Sequence, residues 1–259
     1  MKPKVLILHA TGTNRDHDAA HAIDLAGGAP EIVHLNQLRH GERRWSDYQM
    51  LVLPGGFSYA DALGAGRLLA LDLTLYFTEE VRTFVERGCP VIGICNGFQT
   101  LVKSGILPNL EKANETPRAT LTHNANGRFE CRWVDLKPIS QVCLWTRGLA
   151  HSIYCPVAHG EGNFTVTGQE VIHELAVRDQ IALVYARSDG SRAEGEYPFN
   201  PNGSTADIAG ICNPQGNVLG LMPHPENHIF PYQNPDRVTR SNGNGLALFS
   251  NGIVYASQI

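Results

Sequence analysis

Three short stretches of this chain hold residues that together could do nucleophilic chemistry. The first is Pro90-Val91-Ile92-Gly93-Ile94-Cys95-Asn96-Gly97-Phe98-Gln99. An apolar, β-branched run ends there in Gly-x-Cys-x-Gly, and Gln99-Thr100-Leu101-Val102-Lys103 continues with helical character. This is the pattern of a nucleophile elbow, a sharp strand-to-helix turn that presents a reactive side chain. Gly93 and Gly97 suit it, because larger side chains would clash in so tight a turn. A helix beginning just after Cys95 would also favour the nucleophilic thiolate through its N-terminal dipole. Read alone, the stretch fits a buried cysteine closing a core strand equally well.

A thiol nucleophile needs a base, a group that orients the base, and donors for the oxyanion. The second stretch, Leu219-Gly220-Leu221-Met222-Pro223-His224-Pro225-Glu226, ends an apolar strand in a proline-stiffened segment. Two residues apart in extended chain, His224 and Glu226 fall on the same side, so the carboxylate could fix the imidazole tautomer. Without Cys95 they would read as an ordinary surface pair. The third stretch, Pro54-Gly55-Gly56, follows another strand. The elbow template takes one oxyanion donor from the amide of Asn96, and Gly56 is the candidate for the second.

Gly210-Ile211-Cys212-Asn213 repeats the elbow tetrapeptide letter for letter. Pro214-Gln215-Gly216-Asn217 and another apolar run follow it, which predicts a hairpin and removes Cys212 as a nucleophile. His17 and His21 have i,i+4 spacing but no further ligands near them in sequence, so no metal site is expected. Gly64-Ala65-Gly66 lacks the preceding strand and third glycine of a dinucleotide fingerprint, and no P-loop lysine motif occurs. The chain is therefore expected to hold no cofactor and no ATP site of its own. Formal glycosylation sequons begin at Asn114, Asn163 and Asn202 and carry no weight without a secretion signal.

The elements that must position these stretches follow from periodicity. Strands are expected at Val5–His9, Ile32–Leu35, Met50–Leu53 and into Cys95, with helices up to about residue 26 and near Glu79–Glu86. Alternation of this kind predicts a mainly parallel α/β sheet flanked by helices, whose sites lie at the carboxyl ends of strands. After about Leu107 the pattern changes. Phe129–Leu136, Ser152–Val157, Ile181–Ala186 and Ile208–Cys212 read as an additional antiparallel portion, Asp189–Ser204 as a surface loop, and Gly245–Ala256 as the last helix. The whole of 1–259 reads as one domain. With 42% hydrophobic and 18% charged residues the chain fits an ordinary soluble globule. A net charge of −4 gives no electrostatic case for nucleic acid or an anionic membrane as partner. With no signal-like start, no long apolar span and no paired cysteine motif among its six cysteines, a cytoplasmic location is expected.

These stretches, in this order and spacing, resemble the class I (triad) glutamine amidotransferases. Within that family, Gly55-Gly56-Phe57-Ser58-Tyr59-Ala60-Asp61, Asn96 and Pro156-Val157-Ala158-His159-Gly160-Glu161-Gly162 resemble the glutaminase branch that serves phosphoribosylformylglycinamidine synthase. Leu121-Thr122-His123-Asn124 and Gly127–Val134 are similar to the single-chain form. The resemblance implies a three-layer amidotransferase fold and a triad of Cys95, His224 and Glu226 that hydrolyses glutamine to glutamate and ammonia through a thioester. It implies that Gly55, Gln99, His159, Gly160, Glu161 and Gly162 help to bind glutamine. It implies partners too: a separate synthetase subunit (PurL), which uses ATP and magnesium in purine biosynthesis, and a small third subunit (PurS). The alternatives are the glutaminase of another biosynthetic pathway, a regulatory or thiol-sensing module on the same fold, and a cysteine peptidase. Ala60, Asn227 and the opening Ala10-Thr11-Gly12-Thr13-Asn14 depart from the family pattern; none of them touches the triad.

Overall fold

The computed structural model describes residues 2–109, 117–235 and 244–259; the sequon at Asn114 lies outside them. In chain order the first half comprises β1 (Lys4–His9), α1 (Asp16–Leu25), β2 (Ala29–His34), α2 (Leu35–Arg39), β3 (Met50–Leu53), α3 (Arg67–Tyr76), α4 (Thr78–Glu86), β4 (Val91–Ile94) and α5 (Asn96–Lys103). The second half comprises β5 (Ala119–Thr122), β6 (Glu130–Pro138), β7 (Ile153–His159), β8 (Asn163–Val166), α6 (Gln169–Val177), β9 (Ile181–Ala186), β10 (Ile208–Cys212), β11 (Val218–Leu221) and α7 (Leu246–Ala256).

Among the described residues, one sheet runs in the order β2-β1-β3-β4-β11-β10-β9-β6-β7, and β5 and β8 form a separate antiparallel pair. From β2 to β11 every neighbouring pair is parallel. From β11 to β7 every pair is antiparallel. The parallel strands read as unbroken apolar runs because both of their faces are covered. In β4, Val91 and Ile92 point to opposite faces, yet both have no exposed surface. α1 and α7 pack together on the sheet, α3 and α5 form a second group, and the result is the expected layered α/β arrangement.

The parallel half positions the site. β3, β4 and β11 are adjacent, with Leu53 level with Gly93 and Leu221 level with Ile94. Their carboxyl ends therefore release Pro54-Gly55-Gly56, Cys95 and Met222-Pro223-His224 side by side. α5 starts immediately, at Asn96, and is buried from Asn96 to Val102. It can lie this close because Gly97 has no side chain: a Cβ there would run into the Leu53 carbonyl. Phe98 is fully buried and stacks on Phe164, 6.2 Å between centroids.

Several sequence expectations need correction. The second strand is Ala29–His34, and Leu35 opens a helix because His34 caps it by accepting a hydrogen bond from the Asn36 amide, at 3.1 Å. α3, α6, β5 and β8 were not foreseen. The segment 189–204 is irregular, as expected, but its end is interior rather than surface: Asn200, Asn202 and Ser204 are all buried. They are held by mutual hydrogen bonds and by the Gly162 carbonyl, which compensates their burial. Asp189–Ser204 thus contributes polar interior that composition alone assigned to solvent.

Replacing Gly97 with Ala is expected to destabilise the fold by about 2–3 kcal/mol, because neither the Leu53 carbonyl nor α5 can yield without disturbing the sheet. Chemical denaturation checks this: the midpoint should fall while the slope is unchanged.

Candidate active site

Cys95 occupies the turn between β4 and α5 with φ 51° and ψ −103°. Such a backbone costs a non-glycine residue roughly 1–3 kcal/mol and persists only where the surroundings enforce it. Here the Cys95 amide is tied to the Leu221 carbonyl (2.8 Å), and its own carbonyl accepts from the Gln99 amide (3.0 Å). The sulfur is nearly buried and lies 3.9 Å from the Ala158 carbonyl.

His224 comes to Cys95 from β11. Its amide donates to the Pro156 carbonyl of β7 (2.8 Å), which brings the antiparallel half back against this loop. Its Nδ1 lies 2.6 Å from Oε1 of Glu226, and both side chains are almost wholly buried. Oε2 of Glu226 has no hydrogen bond among the described residues, so the imidazole is the carboxylate's charge partner. Burial opposes a charge on His224, but the Glu226 carboxylate and the Cys95 sulfur outweigh it and raise the group to about 10. Gly55 permits this contact: a Cβ there would come within 2.6 Å of the imidazole Cε1 and 3.5 Å of the Cys95 Cβ. The three stretches singled out in the sequence therefore meet.

A pocket of about 150 Å³ opens on the sulfur, lined by Gly56, Asp61, Gln99, Phe129, Gly160 and Glu161 among others. Gln99 donates from Nε2 to the Glu161 carbonyl (2.7 Å), joining α5 to the loop after β7. His159 lines the pocket but is also a buried strut: Nδ1 lies 3.1 Å from Oδ1 of Asn124, and Nε2 lies 3.5 Å from Nδ2 of Asn202. Burial and the charge of His224 push it down to about 3, so it stays neutral. Gly162 lies outside the pocket lining; its amide donates to Asn124 Oδ1 (2.9 Å) and its carbonyl accepts from Asn202 (2.8 Å).

The sequence reading gave no role to Asp61, Asn124, Asn202 or Lys103. Asn124 and Asp61 stood in motifs already quoted, so the signal was present without a function attached. Asn202 lay in the segment assigned to the surface. Lys103 places its ammonium on the carbonyls of Ala65 (2.7 Å) and Leu121 (3.3 Å), and 3.9 Å from Glu161. Asp61 is raised to about 6 by burial and by the Glu161 carboxylate, against a hydrogen bond from Asn96 and the charge of Lys103.

The copy of the tetrapeptide behaves as the hairpin reading required. Cys212 ends β10, which pairs antiparallel with β11. No group of three or more His, Cys, Asp or Glu among the described residues is arranged to hold a metal ion. No helix among them is long and apolar enough to cross a membrane.

Comparison with known proteins gives the same direction. A family profile described as a CobB/CobQ-like glutamine amidotransferase domain matches residues 2–256. A Treponema denticola protein named phosphoribosylformylglycinamidine synthase subunit PurQ is 59% identical over 241 residues, covering 88% of this chain and 89% of that protein. A protein of the same name from Dehalococcoides mccartyi is 43% identical over 100% of this chain and 99% of its own. A solved chain from the structure of PurLQS from Thermotoga maritima superposes with a TM-score of 0.76 at 30% identity, covering 98% and 99% of the two chains.

The His224–Glu226 pair makes a pH prediction. The folded-state value lies above the ordinary 6.5, so the pair's stabilisation is complete below pH 6.5 and is lost as pH rises through about 10. In Glu226→Gln, burial is left with less opposition, and the imidazole should titrate well below the wild-type value. NMR titration of the His224 ring measures this directly, and the fall in stability between neutral pH and pH 10 should be smaller in the variant.

Proposed function

The chain belongs to the CobB/CobQ-like glutamine amidotransferase domain family, and on that premise we propose that it is the glutaminase subunit of a phosphoribosylformylglycinamidine synthase. The observation that carries the reading is the convergence of Cys95, His224 and Glu226 at the ends of neighbouring strands, beside a pocket walled by Gln99 and Glu161. In this reading the Glu226 carboxylate and the Cys95 sulfur favour a protonated His224 imidazole.

The sulfur attacks the side-chain amide carbon of glutamine. Oxygen charge that develops there is met by the amides of Asn96 and Gly56, and losing one such donor typically costs about 100- to 1,000-fold in rate. His224 passes its proton to the departing nitrogen as the C–N bond breaks, which leaves a glutamyl thioester and ammonia. The neutral imidazole then takes a proton from water, the hydroxide attacks the thioester, and glutamate leaves as the sulfur and the imidazolium are restored. Glu226 keeps the ring oriented and offsets its charge in both steps. Gly55, Gln99, His159, Gly160, Glu161 and Gly162 shape the glutamine pocket, His159 and Gly162 by supporting its wall.

Ammonia goes to a separate PurL-type synthetase, which supplies the ATP and magnesium chemistry, with a PurS-type small subunit completing the assembly. The T. maritima structure described as PurLQS supports this assignment by analogy. The whole chain acts as one amidotransferase domain in the cytoplasm, where free thiols persist. An intact base with its orienting acid disfavours the sensor reading, since a sensor needs neither.

Glutaminase activity is expected in the presence of the synthetase, and Cys95→Ala should abolish it. A glutamine-analogue electrophile should label Cys95 and leave Cys212 unmodified, as peptide mass mapping would show. Retained hydrolysis in Cys95→Ala would refute the nucleophile assignment, and copurification with a different acceptor enzyme would redirect the pathway.

A further inference from the structure

Two carboxylates, Asp61 and Glu161, line the pocket that opens on Cys95. Glu161 is accounted for by its neighbours: its oxygens accept from the Ala65 amide at 3.3 and 3.4 Å, and the Lys103 ammonium stands 3.9 Å away. Asp61 is different. Its Oδ1 accepts from Nδ2 of Asn96 at 2.9 Å, Oδ2 has no hydrogen bond among the described residues, and no cation there lies within ion-pair distance of it. Lys103 is closely engaged by two carbonyls. The wall thus sets two carboxylates against one ammonium, an excess of negative charge in a partly desolvated place that a cationic ligand group would relieve.

The backbone shows that this carboxylate is held in place at a cost. Tyr59, Ala60 and Asp61 all lie in the left-handed region, with φ of 54°, 54° and 52°. Side chains rarely adopt that conformation even singly, and three in succession need enforcement from outside. Tyr59 provides some of it, donating from its hydroxyl to Asp72 (2.5 Å) and from its amide to the Thr11 carbonyl (2.6 Å). Ser58 adds a buried hydrogen bond to Oδ1 of Asn96, also 2.5 Å. Asn96 follows the nucleophile directly in sequence, so one side chain sets the distance between the Asp61 carboxylate and Cys95. Strain concentrated at a pocket wall, and fastened to the elbow, points to ligand recognition rather than to packing.

We propose that Asp61 receives the α-ammonium group of the substrate amino acid and makes the site select α-amino-acid amides over amides that lack that group. The inference rests on the glutaminase reading of the site and adds a specificity residue to it. Glutamine carries its cationic centre at the end opposite the reacting amide. With the amide carbon at Cys95, that centre must meet another part of the wall of this small pocket, and Asp61 is the lining carboxylate without an ion-pair partner among the described residues. Glu161 cannot serve as well, because its oxygens are already turned to the Ala65 amide and Lys103.

Asp61→Asn tests this. Asparagine tolerates the left-handed conformation and can still accept from Asn96, so the turn should survive. Steady-state hydrolysis is measured on the full chain with its synthetase, using glutamine and its desamino analogue glutaramate. The wild type should prefer glutamine in kcat/KM, and in Asp61→Asn the KM for glutamine should rise about tenfold or more with a smaller effect on kcat. Because glutaramate has no ammonium to lose, its kinetics should shift little, and the preference should largely collapse. Isothermal calorimetry of both ligands on Cys95→Ala, with and without Asp61→Asn, reads the same discrimination without turnover. An active Asp61→Asn enzyme that keeps the wild-type preference overturns the proposal. So does an equal loss on both substrates, the mark of a merely structural residue. A wild type that hydrolyses neither amide and forms no Cys95 adduct removes the glutaminase reading itself, an outcome separate from these two.

Discussion

Parallel pairing of β3, β4 and β11 is the constraint on which the site depends. Hydrogen bonding in register ends these strands at one level, so residues about 40 and 130 positions from Cys95 in sequence emerge beside it. No loop has to search for that arrangement, because the sheet that carries the core also carries the site. What remains is to bring α5 down close enough that its first turn presents Cys95 and the amide of Asn96. That step depends on Gly97, whose missing side chain is filled by the Leu53 carbonyl. The geometry of the site and the packing of the core therefore rest on the same contacts, and damage to one shows in the other.

Burial then sorts the ionisable groups. His159 and His224 are both nearly inaccessible, yet their states are opposite. His224 faces a carboxylate with no other charge partner among the described residues, and the pair outweighs the cost of desolvation. His159 faces two amide side chains and the charge of His224, so it stays neutral and serves as a strut. The same residue type is thus held charged in one place and neutral in the other, and the difference lies in the neighbours.

Much of this was legible in the sequence, for reasons that can be named. Gly-x-Cys-x-Gly, the proline-flanked His224 and Glu226, and Gly55-Gly56 are local patterns, each read from backbone geometry over a few residues. The two halves of the sheet were visible because strands alternate with helices in the first and follow one another across turn-rich segments in the second. The repeated tetrapeptide at Cys212 was separable because a hairpin turn follows it where the elbow has a helix. Asn124, Asn202 and Lys103 were not legible in the same way. Their importance comes from burial against the loop after β7, and sequence alone marks such residues as polar and therefore exposed. α3 was missed because its leucines lie on both faces, Leu69 and Leu73 buried but Leu71 and Leu75 exposed, which blurs the helical period.

The departures from the family pattern follow from where the contacts are made. Around Ala10–Asn14 the holding contacts are largely backbone ones: the Thr11 carbonyl accepts from the Tyr59 amide, and Thr13 bridges to Gly56. The exposed side chain at 11 can therefore change with little effect on the site, whereas Ala10 is fully buried and Thr13 Oγ1 accepts from the Ala10 amide at 3.2 Å. Gly12 and Asn14 cannot change either, since Gly12 is pressed on the Phe57 carbonyl at φ 90° and Asn14 fills the space beside Gly56. Asn227 follows Glu226 and donates from Nδ2 to Asp18 of α1 at 3.4 Å. Ala60 is the departure with an energetic consequence. At φ 54°, in the region that favours glycine, its Cβ adds roughly 1–2 kcal/mol of backbone strain. That strain is borne by the turn that carries Asp61, so the sequence accepts a cost in stability without releasing the geometry that Tyr59, Ser58 and Asn96 enforce.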